Sequence, residues 1–87
     1  MDYGKLFAMN LHGKLKEKIV GHIFVVVNQW DKLVIEIESF GGLEYRVVYD
    51  NFSSRILHGW TSDYAVYEIM QGYRKFIRQK FFIQREG

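Results

Sequence analysis

The period of the apolar pattern changes twice along this chain, and those two changes restrict it to one class of fold. Tyr3, Leu6, Phe7, Leu11, Leu15 and Ile19 recur at three- and four-residue spacing, the signature of a helix with one apolar stripe. From His22 to Tyr49 the period falls to two, and beyond Thr61 it returns to that of a helix. A strand cannot keep a 3.6-residue stripe on one face, and a helix cannot keep a two-residue alternation there. Helix, strands, helix is therefore the expected order.

The N-terminal helix is expected over roughly 3–19, with Lys5, Lys14, Lys16, Glu17 and Lys18 facing water. Gly4 and Gly13 each cost about 1 kcal/mol in a helix interior, so a later start, after the capping residue Asn10, competes with it. Ile23 to Val27 is an uninterrupted apolar run, which reads as a strand buried on both faces and hence as the central strand. Asn28 to Asp31 supplies turn chemistry. Lys32 to Glu38 then places Leu33, Ile35 and Ile37 on one face, with Val34, Glu36 and Glu38 on the other. After the turn at Gly41-Gly42, Leu43, Tyr45, Val47 and Tyr49 alternate with Glu44, Arg46 and Val48.

Asn51 to His58 is expected to form a short helix, capped by Asn51, with Phe52, Ile56 and Leu57 inward and Gly59 just past its end. Thr61-Ser62-Asp63 starts a longer helix to about Phe82. Its inward stripe is Val66, Ile69, Met70, Tyr73, Phe76, Ile77 and Phe81, and Glu68, Gln71, Arg74, Lys75, Arg78 and Gln79 face outward. Residues 1–87 thus read as a single α+β domain of order α-β-β-β-α-α: a three-stranded antiparallel meander packed against an N-terminal helix and a long C-terminal helix.

Composition excludes several functions. The chain has no cysteine, so thiolate chemistry and disulfides are absent. It has no apolar run of signal-peptide type or of membrane-spanning length, about 18 residues, and the expected location is the cytoplasm. His12, His22 and His58 are single residues without companions at metal-binding or catalytic spacing, and no glycine sits in a phosphate-binding frame. No metal, cofactor or catalytic residue is assigned, and the chain is read as a non-enzyme.

Three groups of residues remain as candidates. Arg74, Lys75, Arg78, Lys80 and Arg85 gather at the end of the long helix, where they either neutralise phosphates or complement the helix dipole; Lys14, Lys16 and Lys18 extend that surface if the two helices pack side by side. Trp30, Phe40 and Trp60 fall in turns and loops, and Tyr64 and Tyr67 flank the polar side of the long helix; such side chains form either contact surface or lids on the core. Glu36, Glu38 and Glu44 form an acidic strip on the wet face of neighbouring strands.

The order α-β-β-β-α resembles the double-stranded RNA-binding domain, in which a lysine cluster opens the second helix and grips phosphates. Here Thr61-Ser62-Asp63-Tyr64 stands at that helix start, and the positive residues lie at the opposite end. In size, lack of cysteine and layout, on Leu33 to Ile37, Leu43 to Tyr49 and the helix from Asp63, the chain also resembles small inhibitors carried by bacteriophages and mobile elements, including anti-CRISPR proteins. That resemblance implies stoichiometric blocking of a partner surface in the host cytoplasm, often through acidic residues, here Glu36, Glu38, Glu44 and Asp50. The net charge of +2 departs from a strongly acidic DNA mimic. The expected function is a protein-binding module with Glu36, Glu38, Glu44, Trp30, Phe40, Trp60, Tyr64 and Tyr67 as contacts. The alternative is a nucleic-acid-binding module using the basic helix end, and the sheet edges also admit a homodimer.

Overall fold

The computed structural model describes residues 3–39, 41–52 and 60–86, the last six of these by backbone alone. Helix α1 spans Tyr3–Lys18, and strands β1 (Gly21–Val27), β2 (Leu33–Ser39) and β3 (Glu44–Tyr49) follow; helix α2 spans Ser62–Glu86. The fold is an α+β two-layer domain. Gly4 and Gly13 do not delay α1 until after Asn10. Phe7, Ala8, Leu11 and Leu15 are buried from it, and burying a Leu or Phe is worth about 1.5–3 kcal/mol, more than each glycine costs. Tyr3 and Leu6, expected inward, are exposed.

The three strands form an antiparallel sheet in the order β1-β2-β3. β2 is therefore the central strand, and the expectation that Ile23 to Val27 would be central is corrected: β1 is an edge, and Phe24 on its outer face is 46% exposed. An apolar run is compatible with burial on both faces, but also with an edge strand whose outer face is left apolar, and periodicity does not separate the two. Alternation along the strands sends Ile23, Leu33, Ile35 and Ile37 into the core, with Val25, Val27, Tyr45 and Tyr49 packed against it. Both described helices bury their apolar stripes against this inner face, and among the described residues no helix lies over the outer face.

The turns are held by side chains as well as backbone. Asn28 Oδ1 accepts from the amides of Trp30 (2.9 Å) and Lys32 (3.2 Å), which lets Asp31 take its left-handed φ of 54°. Gly41 and Gly42 take φ values of 106° and 79° in the second turn, where the Gly42 amide bonds to the Ser39 carbonyl. Asn51 also has a positive φ, 51°, and delivers Phe52 into the core edge-on to Phe7, with ring centroids 4.9 Å apart. Beyond Phe52 the expected 51–58 helix lies outside the described residues.

Thr61 caps α2, its Oγ1 accepting from the Tyr64 amide at 3.1 Å. Ala65, Val66, Ile69, Met70 and Tyr73 form the buried stripe, with Ile77 packed against it; the side chain of Phe81 is outside the described set. Gly72 passes so close to Tyr45 that a Cβ there would run into its hydroxyl. Glu68, expected to face outward, is half-buried and accepts from the Tyr49 hydroxyl at 3.2 Å. At 25 residues α2 is about 37 Å long, against about 20–24 Å for strands of 6 or 7 residues, so its last third, beyond Ile77, overhangs the sheet.

Candidate functional site

Strand register sorts the outer sheet face into three rows. Val26, Val34 and Val48 lie abreast near the 28–31 turn, Phe24, Glu36 and Arg46 form the middle row, and His22, Glu38 and Glu44 form the last. Val48 and Phe24 are exposed, whereas Val34, expected on the wet face, is only 9% exposed. The two valines beside it in the row cover it. This apolar row was legible in principle: Val34 and Val48 already stood on the wet face in the alternation, and placing β1 at the edge adds Phe24 and Val26 to them.

The acidic strip is assembled as expected from the sequence. Glu36, Glu38 and Glu44 line one shallow pocket of about 230 Å³ with His22 and Arg46. Glu36 Oε1 lies 3.1 Å from Arg46 Nε, so that carboxylate is neutralised across the β2–β3 pair. Glu38 and Glu44 face each other directly at a non-hydrogen-bonded pair, the closer of the two cross-strand spacings. Like charges opposed in this way destabilise a sheet by some tenths of a kcal/mol. The row therefore presents unbalanced negative charge beside an apolar surface.

The candidate aromatics do not gather around it. Trp60 stacks edge-on to Tyr49 (5.3 Å) and Tyr64 (5.7 Å), and is packed against the core as a lid. Tyr64 and Tyr67 are exposed on α2, in the layer behind the sheet. Trp30 is exposed on the β1–β2 turn, and Phe40 lies outside the described residues. The seven described residues of this set thus occupy two sides of the molecule.

The basic end is built differently. Arg74, Lys75 and Arg78 are exposed on α2 where it leaves the sheet and line a groove with Gln71 and Gly72. Lys80 Nζ sits 5.7 Å from the centroid of the Phe76 ring, within cation–π range, while the Arg85 side chain is outside the described set. α1 and α2 do pack side by side, but Lys14 turns to the start of α2, donating to Asp63 Oδ1 (2.6 Å) and Ser62 Oγ (2.8 Å). Lys18 faces Arg74 across an interhelical groove of about 500 Å³ that also contains Tyr67 and Met70.

Among the described residues no cluster of three His, Asp or Glu could hold a metal ion, and no helix is long and apolar enough to cross a membrane. His12 Nε2 is 3.1 Å from the Ile23 carbonyl, a packing role; His58 lies outside the described residues. Set against known proteins, the chain matches no family model, no curated protein and no solved structure.

Proposed function

We infer that this chain is a non-enzymatic protein-binding module that engages its partner through the outer sheet face. The observation that carries this reading is the unbalanced Glu38–Glu44 pair on a face that no described helix covers and that also exposes Phe24 and Val48. An apolar centre with a charged rim is the usual anatomy of a protein interface. Opposed carboxylates that cost stability in isolation become favourable when a partner brings a cation between them. The occupant of this face is accordingly a basic protein surface with an apolar centre. In its most concrete form the module is a stoichiometric inhibitor of the phage or mobile-element kind, acting in the host cytoplasm by covering a nucleic-acid-binding surface of its target.

A nucleic-acid-binding reading is favoured by one observation, the exposed Arg74, Lys75 and Arg78 along one groove of α2. The two readings separate by salt and by charge reversal. Tagged chain is used to capture material from nuclease-treated bacterial lysate at low and moderate salt, alongside Glu38→Lys/Glu44→Lys and Arg74→Glu/Arg78→Glu variants. The protein-interface reading expects one discrete protein, retained with nuclease and salt and lost only with the glutamate variant. Loss of all bound material on nuclease or salt, or sensitivity only to the arginine variant, overturns it in favour of nucleic acid.

A further inference from the structure

The two sheet edges differ in what guards them. Edge strands present unpaired main-chain groups, and natural proteins protect them with charge, proline or bulges. β3 carries Glu44 and Arg46, whereas β1 carries no Asp, Glu, Lys, Arg or proline and pairs with β2 without a bulge through seven successive positions. Pairing parity fixes where its free groups point. The Asn28 amide donates to the Lys32 carbonyl, so even-numbered residues bond to β2, while Ile23, Val25 and Val27 aim their amides and carbonyls away from the sheet. His12 closes the edge at Ile23. Beyond it a groove of about 440 Å³ runs between α1 and the strand, lined by Lys5, Ala8, Met9, His12 and Val25 to Val27, with Met9 71% exposed.

We propose that this groove takes an extended segment of a partner protein as a fourth strand on β1, apolar and β-branched opposite Val25 to Val27. The proposal rests on the protein-binding reading and adds a main-chain contact to it. Two observations select this occupant. Outward main-chain groups at alternate residues match the spacing of an added strand, and apolar side chains on both sides of the edge match a β-branched segment. A second copy of this chain fits poorly, because α1 packs over β1 and edge-to-edge pairing would bring two such helices to a strand spacing of about 5 Å, where packed helices need about 8–10 Å.

Amide hydrogen exchange of the isotope-labelled chain, read by NMR, tests this with the blocked peptide acetyl-Asp-Thr-Val-Ile-Val-Thr-amide. The control is the same peptide N-methylated at the amides that would face β1. At nine-tenths occupancy the exchange of the Val25 and Val27 amides should slow about tenfold, since only free chain exchanges. The methylated peptide should have no effect, and Val26→Lys, which places a charge on the edge, should abolish protection by the peptide in a chain whose dispersed amide spectrum shows that it remains folded. Glu38→Lys/Glu44→Lys should keep it, so the result is read independently of capture through the acidic row. Absence of slowing at millimolar peptide in the folded chain overturns the proposal. So does protection of the same amides without peptide that grows with protein concentration, which would assign the edge to a second copy.

Discussion

Phe52 shows how much a single residue carries in a chain of this size. It is fully buried against Phe7 and enters from a turn, tied to the 28–31 turn by its amide bond to the Asp31 carbonyl at 2.8 Å. Phe52→Ala should lose about 3–5 kcal/mol, a large part of the about 5–15 kcal/mol that holds a small domain, and urea unfolding will show the drop in midpoint. Gly72→Ala sets helix propensity, a gain of about 1 kcal/mol, against overpacking at Tyr45, a loss of about 1–3 kcal/mol. Tyr45 is held between Tyr73 and Phe76, so its hydroxyl has little room to give, and net destabilisation in thermal melts is expected. Tyr45 also carries a pH signature. Burial, and secondarily the charge of Glu68, raise its pKa above the ordinary 10.0. The folded chain then holds this proton where the unfolded chain has released it, so the Tyr45 contribution is fully present below pH 10 and is lost as pH rises through the folded value. Tyr45→Phe should flatten that part of the alkaline fall in stability, measured by urea titration from pH 9 upward.

At the scale of elements, α2 is the least uniform. Its first three turns bury Ala65, Val66, Ile69, Met70 and Tyr73, and Ile77 is the last described side chain packed against the core. Amides between Ala65 and Tyr73 should be far better protected from hydrogen exchange than those of Arg78 to Lys80, where the helix has solvent around it; equal protection would mean that the overhang is covered in solution. The start of α2 is fastened to α1 by Lys14, but that pair is well exposed, and Lys14→Ala should cost at most about 1 kcal/mol. The two described helices and most of their inward stripes were legible from spacing, because a 3.6-residue period leaves one face to bury; Tyr3 and Leu6, exposed at the start of α1, depart from it. The strand order was not. β1 and β2 are both rich in β-branched residues, and which of them lies between two neighbours depends on how the hairpins fold back, information that no segment contains alone.

At the scale of the whole molecule, the described residues form a sheet with helices on one face and none on the other, with charges sorted to opposite ends of different layers. Exchanging the signs of Glu38 and Glu44 should change partner capture without lowering stability, since it replaces one like-charged pair by another; a fall in stability would show that the acidic row is balanced by a neighbour. The sequence by itself determined the element types, the turn at Gly41-Gly42, the Thr61 cap and the gathering of Glu36, Glu38 and Glu44 on one face, because each follows from periodicity or from the geometry of a few adjacent residues. Only the tertiary structure decided that β1 is an edge without charged residues, that Val26, Val34 and Val48 stand abreast two rows from the Glu38–Glu44 pair, and that Trp60 is spent on Tyr49 and Tyr64 while Tyr67 lies on the far layer. Those are relations between segments distant in sequence, set by strand pairing and by which face the helices cover, and local chemistry holds no record of them.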